Sequence, residues 1–563
     1  MDFYQVATEL GENDKSVSKY SKVLRQLLHN RGIIKESDID NFLNPRYEEE
    51  LHDPFLLNEM TEATDRILRA IKQGEKICIY SDYDCDGIPG AVVWHDFFRA
   101  ISYTNFFSYI PHRHLEGFGF NVDAVDKIQD KDADLIITVD CGTSDVEAVQ
   151  KANQLNIDVV ITDHHEAGEV LPEALAIVNP KVGDNYPFKH LCGAGVVFKV
   201  VTALLAKGNF GLKPGQEKWW LDMVGLATLA DMVELRGENR TLAYYGLKVL
   251  RKSRRPGLQQ LLRKQRCNQA YLTEDDVGFT IGPRINAASR MDSPEIALEL
   301  LIENDEKSVG NRVENLEKLN NERKGIVASM VREAHGKVAQ MESMPEVLVV
   351  GNPLWRPSLV GLVAGKLADE HNKPCFAWGR DGKGVIKGSC RSDGDTNVVD
   401  LMNECSEFFL EYGGHHMSGG FSVHESKIHD LPQALLSVHG SKLTSKSSMK
   451  YEVDMELSIN DVNSSLIKDL ERLAPFGVGN EKPIFLFKNV APRISGTFGK
   501  SAEHTKLVFD TVTGPLDAIA FFKLPRDFKK EPTQGEPCNL IANVERSFFM
   551  GRSQIRLRLI EIF

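Results

Sequence analysis

Three aspartates stand at alternate positions in SDYDCDGIPG: Asp82, Asp84 and Asp86. Alternate residues of an extended segment share one face, so the three side chains can point together. Carboxylates that close repel one another strongly unless a cation lies among them, which is the physical reason to infer a metal. A cluster of helix N-caps, favoured by the helix dipole, would give the same pattern, and the motif alone leaves both readings open. The run Asp163-His164-His165 shifts the balance. Of two adjacent imidazoles, one can coordinate a transition metal while the other, on the opposite side of the chain, faces a substrate. Mixed Asp and His ligands suit Mn²⁺ best and Mg²⁺ or Co²⁺ less, whereas structural Zn²⁺ usually recruits cysteine. The chemistry such a cluster supports is phosphate-ester hydrolysis with two metal ions.

These groups must be positioned by something, and the surrounding pattern predicts what. From about residue 76 to 235, short apolar runs (KICIY, DLIITVD, DVVITDHH, ALAIVNP) alternate with longer amphipathic ones. This is the rhythm of an α/β fold with a parallel sheet. Asp82, Asp84 and Asp86, then Asp140, then Asp163 each follow an apolar run. Ligands of open α/β sheets bind outside the carboxyl ends of the strands, so these residues can converge although they are distant in sequence.

Further on, Pro294 to Glu342 has no internal proline and a helix-like recurrence of Leu, Val and Ile, which predicts one long connecting helix. A second, smaller α/β rhythm begins at EVLVVG and closes near GGHHMSGGFSV. The serine-rich SKLTSKSSMK, 441–450, reads as a linker, and closely spaced β-like runs beyond it predict a small C-terminal β-barrel.

At 563 residues the chain is too long for one core. Its 42% hydrophobic and 26% charged residues are those of a folded soluble protein. No stretch approaches the roughly 20 apolar residues of a membrane span, and the opening MDFYQVATELGENDK lacks a signal-peptide pattern. Nine cysteines without a CxxC pair argue against disulfides and structural zinc, so a cytoplasmic location is expected. The net charge of −13 excludes nothing, because ten Lys or Arg against one Glu between 236 and 266 make a local basic patch. A solvated helical face or a track for a nucleic-acid backbone would each explain that patch. Lys523, Arg526, Lys529, Lys530, Arg546, Arg552, Arg556 and Arg558 give the barrel a similar bias.

SDYDCDG, VDCG, TDHH and LATLADMVEL resemble the four motifs of the DHH phosphoesterase family. IGPRINAASRM, WRPSLVGLVAGKL, KGSCRS, YGGHHMSGGFSV and LAPFGVGNEKP resemble, in order, the blocks of its RecJ-type single-strand-specific exonucleases. The resemblance implies an N-terminal segment (1–50), a DHH phosphoesterase domain (51–293), a connecting helix (294–342), a DHH-associated domain (343–438) and an oligonucleotide-binding (OB-like) barrel (448–563). It implies two Mn²⁺ or Mg²⁺ ions, one on Asp84 and Asp140, the other on Asp86, Asp140, His164 and Asp231, with Asp140 bridging. Tyr80 stands where related phosphoesterases place a histidine, which implies that the first metal either recruits Asp82 or binds more weakly. His165 would face the scissile phosphate with His415 nearby; Arg113, Arg284, Ser389 and Arg391 would line the channel and the terminal-phosphate pocket, where a guanidinium can clasp phosphate bidentately. Phe118 is a candidate for base stacking, with core packing as the alternative. Ser289, Arg356 and Ser358 depart from the usual residues of their blocks. The implied activity is 5′-to-3′ degradation of single-stranded DNA to mononucleotides in repair and recombination, by a monomer that works with a helicase or single-strand-binding protein. A short-oligonucleotide or cyclic-dinucleotide phosphodiesterase and an inactive DNA-binding scaffold are the alternatives.

Overall fold

The computed structural model describes residues 3–10, 19–441, 451–499, 501–549 and 552–563. The linker expected at 441–450 therefore lies, beyond Ser441, outside the described residues. The N-terminal sheet has five parallel strands in the order Phe106–Tyr109, Ile77–Ser81, Leu135–Val139, Asp158–Thr162 and Ala176–Val178. Ile77–Ser81 and Leu135–Val139 are buried at every residue, which is why they read as continuous apolar runs and not as alternating ones. Trp94, Phe97 and Phe98 of the helix Gly87–Ala100 fill the core on one face. From Ile77–Ser81 the chain passes outward to the edge strand Phe106–Tyr109, then crosses back to Leu135–Val139 on the other side. That reversal opens a crevice at the carboxyl ends of Ile77–Ser81 and Leu135–Val139, where such sheets bind ligands.

The expected single connecting helix is two helices, Glu295–Ile302 and Glu306–Ala339. The break has a local cause. The Glu303 carboxylate accepts the backbone N–H groups of Asn304 and Asp305, and the Asp305 side chain accepts that of Lys307, so capping chemistry restarts the helix. The second domain has a sheet in the order Phe409–His415, Ser418–Val423, Ile386–Arg391, Cys375–Arg380 and Leu348–Gly351, of which only the last pair is parallel.

The C-terminal domain is a seven-stranded mixed sheet. Its core includes Leu24, Leu27, Leu28, Ile39 and Leu43, and the strand Tyr4–Val6 pairs in parallel with Tyr451–Val453. The N-terminal segment is thus packed onto the barrel at the far end of the sequence. Three cations of the basic patch are tied down inside the fold, while Lys248, Lys252, Arg254, Arg263, Lys264 and Arg266 stay exposed. Arg240 donates to the backbone oxygens of Phe42, Leu473 and Ala474, Arg251 to that of Leu272, and Arg255 bridges Asp222 and Asp96. In the barrel, Arg546 pairs with Glu471, Arg556 with Glu545, and Lys523 and Lys530 donate to backbone oxygens.

Candidate metal centre and cleft

The acidic motif converges by a route other than the expected one. After Ser81 the strand ends and the chain turns into the helix Gly87–Ala100. Because of that turn Asp82 and Asp84 group with Asp140, while Asp86 groups with His164 and Asp231; within each group the ligand atoms lie within 4.8 Å of one another. Asp84 does act partly as a helix cap, its Oδ1 accepting the N–H groups of Asp86 (2.8 Å) and Gly87 (3.2 Å). Asp86 accepts those of Gly193 (2.6 Å) and Ala194 (2.8 Å), at the start of the helix Gly193–Lys207. Asp140 links the groups: its Oδ1 lies 3.1 Å from His164 Nε2, and its own backbone is left-handed at φ 62°. Asp231 caps the helix Leu221–Ala230.

Two glycines are required by this crowding. A Cβ on Gly193 would sit 2.6 Å from the Cβ of Asp140, and one on Gly87 would sit 2.4 Å from the backbone oxygen of Asp82. Burial raises Asp82, Asp140 and Asp231 well above the usual carboxylate range, and neighbouring aspartates push each further the same way. Asp86 is lifted to about 7 by burial and then by Asp84. Asp82 Oδ1 and Asp140 Oδ1 are buried without a hydrogen-bond partner among the described residues. Burial and the neighbouring His165 push His164 down to about 3, and its ring bonds to the backbone of Leu191, so a neutral imidazole faces three carboxylates. Orphaned carboxylate oxygens and an imidazole lone pair aimed at one another are what a cation would reconcile.

Asp163 has a different task. Its carboxylate accepts the N–H groups of Thr143, His164 and His165 and bonds His165 Nδ1 at 2.8 Å. Burial favours the uncharged form of both partners. The bond and charge between them prevail, holding Asp163 well below its usual range and raising His165 to about 9. The His165 ring is therefore locked against Asp163 beside the cluster, and that carboxylate favours its cationic form. Phe118, 58% exposed, stands edge-on to it at 5.6 Å, and the His415 ring stacks at 6.3 Å from the second domain. That exposure is incompatible with core packing.

Tyr80 takes no part in the cluster. It is fully buried, donates to the Gly119 backbone oxygen at 2.8 Å and stacks on Tyr109, with Asn121 donating back to its hydroxyl. Asp82, just beyond the strand, is the residue of this stretch that groups with Asp84 and Asp140.

Between the two domains lies a cleft of about 1070 Å³, lined by Arg113, Phe118 and His165 on one side and by Arg356, Ser358 and His415 on the other. Arg113 lies over the Tyr83 ring at 4.7 Å. Arg391 donates to Ser389 Oγ at 2.9 Å, and Gly361 leaves room for both, since a Cβ there would come within 3.0 to 3.2 Å of them. Arg284 is elsewhere: 6% exposed, ion-paired to Glu317 and bonded to Gln265 and the Thr280 backbone, it is a structural cation. The residue of that block behind the cleft wall is Arg290, which sequence reading missed. Burial, then Arg113, Arg323 and Arg391, lower it to about 9, the sign of a cation crowded by other cations. Both arginines lie on the helix Gly282–Met291. Six residues at about 100° each put them on different faces, a signal that could have separated them. Ser358, a departure from its block, meets Arg290 twice: Arg290 Nη1 donates to the Ser358 backbone oxygen at 2.7 Å and Ser358 Oγ donates back to that of Arg290 at 2.9 Å.

A carboxylate–histidine centre at a parallel-sheet switch point, capped by a second domain, defines the DHH class of protein, and comparison bears this out. The DHH family, N-terminal domain model matches residues 76–228, the DHHA1 domain 344–439 and the RecJ OB domain 453–561. The chain is 36% identical over 505 residues to the single-stranded-DNA-specific exonuclease RecJ of Bacillus subtilis, covering 89% of this chain and 63% of that one. It is 31% identical over 522 residues to the RecJ of Dickeya dadantii, covering 89% of each. The structure of RecJ with Mn²⁺ from Thermus thermophilus superposes with TM-score 0.83 at 23% identity, over 100% of this chain and 79% of that one. The chain belongs to the RecJ family.

Proposed function

We propose that this protein is a divalent-metal-dependent exonuclease that degrades single-stranded DNA from its 5′ end to mononucleotides. The observation that carries the reading is the pair of orphaned, buried oxygens on Asp82 and Asp140, set beside an arginine-lined cleft. The residues fit two ions of the Mn²⁺ or Mg²⁺ kind: Asp82, Asp84 and Asp140 for one, Asp86, Asp140, His164 and Asp231 for the other. When bound, such a pair supplies an activated water and stabilises charge on both the attacking and leaving oxygens of an in-line displacement.

The chain's own groups do the rest. His165, held charged by Asp163, donates toward the reacting phosphate; His415 closes over it from the second domain. Arg113, Arg290 and Arg391 with Ser389 bind the terminal phosphate, and Phe118 offers a face to the adjacent base without reading its sequence. The curated relatives are named single-stranded-DNA-specific exonucleases, which supports the substrate class. No helix among the described residues is long and apolar enough to cross a membrane. A cytoplasmic location, a monomeric state and a helicase or single-strand-binding protein as partner are further parts of the proposal.

The test is a time course on single strands labelled at either end, with and without a 5′ phosphate, beside a two-nucleotide substrate. Mononucleotides released first from a 5′ label are expected. Release first from the 3′ label would reverse the polarity, and a strong preference for the dinucleotide would replace the exonuclease with a short-oligonucleotide phosphodiesterase.

A further inference from the structure

Away from the cleft, His335 of the connecting helix Glu306–Ala339 meets Glu370 and His371 at the end of the helix Pro357–His371. One ligand atom from each lies within 4.8 Å of the others. His335 Nε2 is 2.7 Å from Glu370 Oε2, and the His335 and His371 rings stand nearly perpendicular, 6.4 Å apart. The His335–Glu370 ion pair explains those two residues but not the third: His371 Nε2 is buried and has no hydrogen-bond partner among the described residues. Lys366 engages the other carboxylate oxygen, Oε1, at 2.9 Å, which leaves Oε2 to His335. The negative end of the Pro357–His371 helix dipole also falls here and favours a cation.

We infer that His335, Glu370 and His371 form a second, non-catalytic metal site of the zinc class, clamping the connecting helix to the second domain. Two imidazoles and one carboxylate with an open fourth position suit Zn²⁺ or Co²⁺ and are a poor match for Mg²⁺. Tetrahedral ligands on Zn²⁺ lie about 3.3 Å from one another, given bonds of about 2.0 Å, so the cluster needs rotamer adjustments of up to about 1.5 Å. His335 and Glu370 are partly exposed and free to make them. The helix Pro357–His371, 15 residues and about 22 Å long, holds this site at one end and Ser358 of the cleft wall at the other, so the ion would act on domain attachment and not on the chemistry.

The test uses the whole protein with its catalytic centre saturated with Mn²⁺. Dialysis against zinc, followed by metal analysis, is expected to leave one more Zn²⁺ per chain on the wild type than on His335→Ala or His371→Ala. Wild-type crystals grown with zinc are expected to show an anomalous peak among the three side chains. Equal zinc retention by wild type and both variants, or crystals with no peak there, overturns the proposal. The wild-type crystal arm does not depend on either variant folding, and neither arm depends on nuclease activity.

Discussion

His164 Nε2 lies 3.1 Å from Asp140 Oδ1, and that oxygen has no hydrogen-bond partner among the described residues. A nitrogen lone pair and a buried carboxylate oxygen at that separation repel unless something positive joins them, so the relationship makes Asp140 the pivot of the centre. The Asp140→Asn variant removes one buried charge from the crowd while preserving shape. Its metal-free form should melt higher than the metal-free wild type, lose the Mn²⁺-induced rise in Tm and cleave no DNA. Differential scanning calorimetry with and without Mn²⁺ checks the first two, and a Tm rise that survives the substitution would remove Asp140 from the ligand set.

Asp86, lifted to about 7, gives the centre a pH dependence. Its folded value lies above that of an unfolded Asp, near about 3.9, so the folded metal-free protein holds the extra proton between those limits. The stability this proton contributes is fully present below the unfolded value and is lost as pH rises from there through about 7. Metal must displace the proton, so Mn²⁺ should bind more weakly below about pH 7 and release protons as it binds. Isothermal titration in two buffers of different ionisation enthalpy measures the release; identical heats in both would contradict it.

Gly193 should tolerate no side chain. The Cβ of Gly193→Ala would lie 2.6 Å from Asp140 Cβ, an overpacking that costs about 1 to 3 kcal/mol and displaces the bridging carboxylate. Lower Tm together with a raised Mn²⁺ requirement is expected. A variant with unchanged metal affinity would show that the carboxylate has room to move.

Arg391→Ala should erase most of the preference for a 5′-phosphorylated end over a 5′-hydroxyl one. A charged hydrogen bond contributes about 1.5 to 3 kcal/mol, or roughly 10- to 150-fold in kcat/KM for the phosphorylated strand. Arg284→Lys should instead lower Tm through its bonds to Glu317 and Gln265 and leave that preference intact.

Tyr80→Phe removes a buried hydroxyl that donates to Gly119 and leaves that carbonyl unpaired. A stability loss of about 1 to 3 kcal/mol with unaltered Mn²⁺ affinity is expected from denaturant melts and metal titration. Altered affinity would mean that Tyr80 does contribute to the centre.

Much of this site can be read from the chain because its residues sit at strand ends. Fully buried parallel strands must be apolar throughout, so each aspartate that follows one is conspicuous, and the switch-point rule brings Asp82, Asp140 and His164 together. The sequence by itself also determines which chemistry is possible, since only carboxylates and imidazoles supply those ligands. What it does not carry is partnership across distance. Whether Arg284 or Arg290 lies behind the cleft wall depends on the partners each meets, and Glu317 is 33 positions away from Arg284. Within the basic patch from 236 to 266, Arg240 and Arg255 are turned inward by Asp96, Asp222 and backbone oxygens of Phe42 and Leu473, residues on other elements. The N-terminal helices are amphipathic in sequence, but only the folded chain supplies the barrel face that their Leu24 and Leu27 cover. Local pattern sets what a side chain can do; which groups it meets is a property of the tertiary structure, because burial and charge pairing are settled between elements and not within them.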